Sequence, residues 1–349
     1  MDDKVITLEG VWKIFGPNAA AAMEAIRERG LDKAAVLEQF DCVVGIADNS
    51  FSVRRGEVFC VMGLSGSGKS TMVRHLNRLI EPTVGRIEVL GRNMLELSDK
   101  DVRAMRTKSI GMVFQHMALL PHRSVRDNVA FPLQVRGEPK TRRWETSQRC
   151  IDMVELTGYE DRFPSELSGG MQQRVGLARA LASDPEVLLM DEPFSALDPL
   201  IRRQLQAQFM ALSVELKKTT VFITHDLDEA IRIGSRIAIM KDGRIVQIGT
   251  PEEIVTRPAD DYVRDFVQGI SRLKLVCAHT IMVPIDAWRP TRPVDLSASP
   301  RTLHDTNLDQ LIDIATATDN VIVINDAEGN DIGVIDQVTL LKGIQGGKA

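Results

Sequence analysis

"VMGLSGSGKST", Val61 to Thr71, sets three glycines and a lysine between the apolar run "RRGEVFCVMG" and the helical pattern "STMVRHLNRLI". Gly63, Gly68, Lys69 and Ser70 satisfy the spacing G-x-x-x-x-G-K-[ST]. Glycines let bare backbone N–H groups wrap a phosphate, and the helix that comes next turns its positive dipole end towards the same anion. Gly63, Leu64, Ser65, Gly66, Ser67, Gly68, Lys69, Ser70 and Thr71 are therefore expected to hold the phosphates of a nucleotide. Lys69 reaches the β- and γ-phosphates, and the Ser70 hydroxyl ligates Mg2+.

Such a loop needs an acidic partner at the end of a neighbouring strand. "EVLLMDE" supplies one: Asp191 ends the apolar run as a metal ligand, and Glu192, one residue on, is placed to orient or deprotonate an attacking water. "TTVFITHD" is a third apolar run with a polar end. Unbroken runs of this kind predict strands buried on both faces, hence an α/β fold with a parallel sheet. Met72, Val73, Leu76, Leu79 and Ile80 predict one apolar helix face. "RIAIMKDGRIVQIGT" predicts a hairpin with a type I′ turn at Asp242-Gly243.

The 349 residues exceed what one hydrophobic core usually serves, so a large domain and a smaller one are expected. Net charge −5 and a pI near 5.8 offer no general field for nucleic acid or an anionic membrane. "MDDKVITLEGVWKIF" is neither a secretory signal nor an anchor, and no stretch approaches the roughly 20 apolar residues of a membrane span, so any membrane role comes through a partner. Cys42, Cys60, Cys150 and Cys277 are scattered and suit a reducing compartment. A helical insertion is expected over about 17–44. A domain boundary is expected near 270, where prolines 284, 290, 293 and 300 begin to break the chain. Beyond them, "NLDQLIDIATATDNVIVINDAEGNDIGVIDQVTLLKGI" reads as helix, strand, turn, strand, helix.

"LSGGMQQRVGLARAL", from Leu167, resembles the signature of the nucleotide-binding subunits of ATP-binding-cassette (ABC) transporters. The resemblance implies a P-loop NTPase core over residues 1–270, with an antiparallel β subdomain and a helical subdomain at about 116–175 that docks a membrane permease. It implies a homodimer in which Ser168, Gly169 and Gly170 of one copy bind the ATP held by the other. It also carries roles to further residues: Gln115 in "VFQ" contacts magnesium and water, Asp198 in "SALD" lies at the dimer contact, His225 in "THD" senses the γ-phosphate, and Phe15 in "WKIFG" stacks on adenine, with Trp12 close by.

The insertion, with "GLSGSGKSTMVRHLNRLIEPT", "ALLPHRSVRDNVAF", "MDEPFSALDPLIR" and "THDLDEAIRIGSRIAIMKDGRIVQIGTPEEI", is similar to the ATPase subunits of quaternary-amine importers, which carry glycine betaine, proline betaine or choline. The resemblance implies work at the cytoplasmic face of the membrane, with a permease and an extracytoplasmic solute-binding protein. Longer members end in two cystathionine-β-synthase-type (CBS) repeats. The tail at 271–349 has room for one, at about 297–345, and this shorter tail favours choline. Its seven basic and ten acidic residues from Ile270 onward form no cationic face. The alternative is an ABC importer ATPase for another small solute; a soluble cassette ATPase acting on nucleic acid fits poorly with a single motif set, no sustained heptads and an acidic balance.

Overall fold

The computed structural model describes residues 3–345 apart from 116, 117, 196, 269 and 290–293, and at Val214 the backbone alone. The first two residues expected in the helical subdomain, 116 and 117, and Pro290 and Pro293 of the proline-rich stretch thus lie outside the described residues. The chain forms two compact units, Met1–Thr250 and Pro251–Ala349.

In the first unit the three apolar runs become Val58–Met62, Val187–Asp191 and Thr219–Thr224, buried at every residue. A six-stranded sheet has the order Arg244–Gly249, Arg236–Lys241, Val58–Met62, Thr219–Thr224, Val187–Asp191, Ile110–Val113. Neighbouring strands run parallel except the edge hairpin Arg236–Lys241/Arg244–Gly249. Asp242 and Gly243 join that hairpin with φ of 48° and 74°, the two positive values a type I′ turn demands. A four-stranded antiparallel sheet, Val43–Arg54, Lys4–Phe15, Val84–Val89, Arg92–Asn93, shares its core with the first, and Phe51 stacks on Phe59 at 4.9 Å.

Helices Ala19–Arg29 and Lys33–Phe40 occupy the stretch between the first two strands. Asp32 caps the second by accepting from the Ala35 N–H, and Met23 and Val36 bury against Ile14 and Val44. Helices Val125–Val135, Lys140–Met153 and Gly169–Ala182 pack on one another. The helix after the glycine loop is shorter than its apolar stripe predicts. It ends at Leu76, Arg78 turns left-handed at φ 53°, and Leu79 is 47% exposed. The Arg78 guanidinium, which donates to the Leu97 carbonyl at 2.7 Å, fixes that turn.

In the second unit, strands Val283–Pro284, Asp331–Ile335, Ile322–Asn325 and Arg301–Leu303 make a mixed sheet in that order, with helices Leu308–Thr316 and Gln337–Gln345 flanking its central pair in sequence. Its core holds Val276, Ile281, Leu308, Leu311, Ile324 and Leu340. The unit starts about twenty residues before the proline-based boundary near 270. Glu252, on helix Pro251–Thr256, accepts from the backbone N–H of Cys277 at 2.9 Å, which ties that helix to the second unit.

Phe222 is fully buried, with the rings of Phe194 and Phe209 at 5.9 and 6.0 Å. Phe222→Ala should cost about 3–5 kcal/mol, read as a lowered urea midpoint, with a smaller shift for Phe222→Leu.

Candidate functional site

Four of the parallel strands end side by side, and each hands the chain to a polar residue or to the glycine loop: Gly63 after Val58–Met62, Gln115 two residues after Ile110–Val113, Glu192 after Val187–Asp191, His225 after Thr219–Thr224. Ligands of open α/β sheets bind outside such carboxyl ends. A cavity of about 580 Å³ there is lined by residues of the glycine loop (Leu64, Ser65, Gly66, Gly68, Lys69, Ser70, Thr71), with Gly45, Gln115, Glu192 and His225.

The loop can exist only with glycine at two places. Gly63 has φ 155°, and a Cβ there would lie 2.3 Å from the Met240 carbonyl oxygen. Gly68 has φ 100°, and a Cβ would lie 2.7 Å from that of Gly45. Lys69 Nζ donates to the carbonyls of Gly63 (2.7 Å) and Leu64 (3.1 Å) and stands 3.8 Å from Glu192 Oε1. Burial holds its pKa below the ordinary lysine value, and the carboxylates of Glu192 and Asp191 oppose that shift. The Ser67 hydroxyl is buried and makes no hydrogen bond. It is a polar atom left unspent inside the loop.

Asp191 is fully buried. It accepts from Ser70 Oγ at 2.7 Å and from Arg74 at 3.3 Å. Glu192 Oε2 accepts from Gln115 Nε2 at 3.2 Å and meets His225 Nδ1 at 3.0 Å. With Glu192 ionised, the ring proton of His225 sits on Nδ1 and Nε2 is left for a ligand. Ser70 Oγ, Asp191 and the Gln115 amide oxygen form a hard, all-oxygen donor set of the kind magnesium takes, so these residues fit that ion.

Ser168, Gly169, Gly170 and Asp198 do not line this cavity. Ser168 caps helix Gly169–Ala182, its Oγ accepting from the Met171 N–H at 3.3 Å, and beyond its chain neighbours and its own helix's backbone no described atom lies within 4 Å of where a Gly169 Cβ would stand. Asp198 caps Pro199–Leu216 by accepting from the N–H groups of Leu200 and Ile201. Phe15, 40% exposed, rests its ring on Gly45, where a Cβ would come within 2.6 Å of it. Trp12 packs instead under the Arg244 guanidinium, at 5.5 Å.

Three residues escape a reading of the sequence alone. Gly45 does carry a signal, since a glycine inside a strand marks close approach. Arg74, which pairs with Asp191, and Arg202 carry none. Arg202 donates to the carbonyls of Phe194 and Leu197 and pins the loop after Glu192. An apolar groove of about 320 Å³, reached by Phe114 just ahead of Gln115 in the chain, runs along Leu79, Met112, Phe131 and Pro132, with Arg106 and Arg179 also in its lining.

Residues 46–195 match the ABC transporter family. The glycine betaine/carnitine transport ATP-binding protein GbuA of Listeria monocytogenes is 49% identical over 278 residues, 80% of this chain and 70% of that protein. The trimethylamine N-oxide transport system ATP-binding protein TmoW of Ruegeria pomeroyi is 44% identical over 338 residues, 97% of this chain and 96% of that one. Among solved structures, the dimeric post-hydrolysis state of the ATP-binding cassette MJ0796, bound to ADP and Pi, superimposes with a TM-score of 0.60 and 30% identity, over 70% of this chain and 98% of that one.

The cap at Ser168 has a measurable share in stability. Ser168→Ala should lower it by about 1 kcal/mol, while Ser168→Asn, which keeps a capping oxygen, should restore it; thermal melting reads both.

Proposed function

This chain belongs to the ABC transporter family, and within it we propose that the protein is the ATP-hydrolysing subunit of an importer for a small N-methylated solute. The observation that carries the reading is the Glu192 carboxylate, held by Gln115 and His225 beside Lys69 at the mouth of the phosphate loop. ATP enters with its phosphates over the loop, and Lys69 exchanges its two carbonyl partners for β- and γ-phosphate oxygens. Magnesium, when bound by Ser70, Asp191 and Gln115, supplies charge neutralisation on the phosphate oxygens. Glu192 aligns a water in line with the γ-phosphate and takes its proton, while Gln115 and His225 fix the direction of the carboxylate. Nucleotide binding brings a proton to His225 Nε2, which then donates to a γ-phosphate oxygen while Nδ1 keeps Glu192, and Phe15 offers its ring to adenine.

In a homodimer, Ser168, Gly169 and Gly170 of the second copy close over the γ-phosphate with a helix N-terminus, and Asp198 lies at the contact. The apolar groove at Phe114, next to Gln115 in the chain, suits a short helix from a membrane permease, so that occupancy at Gln115 and movement of the partner are mechanically linked. Among the described residues no helix is long and apolar enough to cross a membrane, and the proposed place of work is the cytoplasmic face, against the permease. An extracytoplasmic solute-binding protein completes the system.

The alignment with TmoW covers 97% of this chain, the tail included, and supports placing trimethylamine N-oxide ahead of choline, as the 49% identity with GbuA supports glycine betaine.

Glu192→Gln should bind ATP with unchanged affinity while steady-state hydrolysis falls about 10²–10⁴-fold; near-normal turnover would remove Glu192 from its role. Cells whose only copy carries Glu192→Gln should lose uptake of one labelled solute among trimethylamine N-oxide, glycine betaine and choline. Survival of all three uptakes would refute the solute class.

A further inference from the structure

Within the second unit, Glu252, on helix Pro251–Thr256, meets Cys277 and His279, which flank the start of helix Ala278–Ile281. One ligand atom from each lies within 4.8 Å of the other two, and no other trio of histidine, cysteine and acidic side chains among the described residues does so.

The hydrogen bonds settle how the donor atoms are directed. His279 Nδ1 lies 3.0 Å from the His304 carbonyl, an acceptor that also takes the His279 backbone N–H, so Nδ1 carries the ring proton. Nε2 then faces Glu252 Oε2 at 3.4 Å. Two lone-pair-bearing atoms face each other there, which is favourable only with a proton or a cation between them. Glu252 is anchored through its other oxygen, Oε1, which accepts from the Cys277 N–H at 2.9 Å and from the Thr280 hydroxyl, leaving Oε2 for the shared position. Fixed ring tautomers and hydrogen-bonded carboxylates of this kind are what supporting groups around a metal provide.

The sulfur fits the same reading. The nearest acceptor of the Cys277 thiol is a distant carbonyl, that of Leu275 at 3.8 Å. His304, with its ring 6.2 Å from that of His279, buries an Nδ1 that makes no hydrogen bond. The His279 side chain is 45% exposed, so an ion has a way in. A tetrahedral ion with bonds of about 2.0–2.3 Å spaces its ligands by about 3.5 Å, so small side-chain rotations close the set.

We propose that Glu252, Cys277 and His279 form a zinc site with three protein ligands and one water. Mixed thiolate, imidazole and carboxylate donors favour zinc over calcium or magnesium. The ion would clip the first helix of the second unit to the turn at Cys277, twenty-five residues on.

The full-length chain, stripped with a chelator, is titrated with Co2+ and then with Zn2+. The expected result is a thiolate-to-cobalt charge-transfer band that saturates at one ion per chain and is displaced by Zn2+. Cys277→Ser should abolish that band, and His279→Ala and Glu252→Gln should each weaken Co2+ binding by at least about tenfold. Circular dichroism and ATP hydrolysis check that each variant is folded, and if Cys277→Ser does not fold, the two other variants still decide. Absence of the band in the wild type, its persistence in Cys277→Ser, or unchanged affinity in both other variants would overturn the site and leave an imidazolium–carboxylate pair between His279 and Glu252.

Discussion

A carboxylate with no contact with solvent is the constraint on which the nucleotide site depends. Taking an ion like Asp191 out of water costs several kcal/mol unless it is paired. Its partners, Ser70 and Arg74, both come from the helix that opens at Lys69. The requirement to satisfy Asp191 therefore locks that helix, and the loop ahead of it, to the end of the neighbouring strand. The next residue, Glu192, sits at φ 46°, a conformation costing about 1–3 kcal/mol for a residue with a side chain. Its N–H donates to the Ile223 carbonyl and its own carbonyl accepts from Ser195. Held at both sides, the strained residue aims its carboxylate at the phosphate loop instead of along the strand.

Much of this was legible in the sequence because parallel strands buried on both faces leave continuous apolar runs, and the site residues stand where the runs stop. Gly63, Asp191 and Glu192 can be found by that rule, and His225, which also ends a run, took its role from the resemblance of "THD" to the family. Asp242-Gly243 was legible because its turn is a local matter of backbone angles. What could not be read depends on partners far away in the chain. The helix after the loop stops at Leu76 because Arg78 reaches Leu97. Helix Pro251–Thr256 belongs with the second unit, to which Glu252 ties it by accepting from the Cys277 N–H. Arg74 and Arg202 look like ordinary surface cations until the groups they neutralise or pin are folded beside them. Phe15 was read from "WKIFG" with Trp12 close by, and their surroundings, Gly45 and Lys13 at Phe15 and Arg244 at Trp12, are cross-strand or distant and could not be read.

The two helix caps differ in what they have left to give. A serine hydroxyl that accepts from Met171 keeps its own proton, so Ser168 can cap its helix and still donate to an anion. Asp198 has acceptors only and uses one oxygen on two backbone N–H groups. Its other oxygen can receive a hydrogen bond from a facing chain and repels phosphate. The chemistry of the caps thus separates a residue suited to touch nucleotide from one suited to touch protein.

The turn at Asp242-Gly243 reaches back across the unit. The Gly243 carbonyl accepts from the Ala47 N–H and the Asn49 amide, and its N–H donates to the Ser67 carbonyl inside the phosphate loop. The strand that leads into the loop lies between Thr219–Thr224 and Arg236–Lys241. A ribosome adding about 5–20 residues per second needs about 9–35 seconds to travel from Lys69 to Gly243. Through that interval the glycine loop is in the nascent chain without the turn that braces it, so nucleotide enters the folding history of the first unit late, after its hairpin has been synthesised.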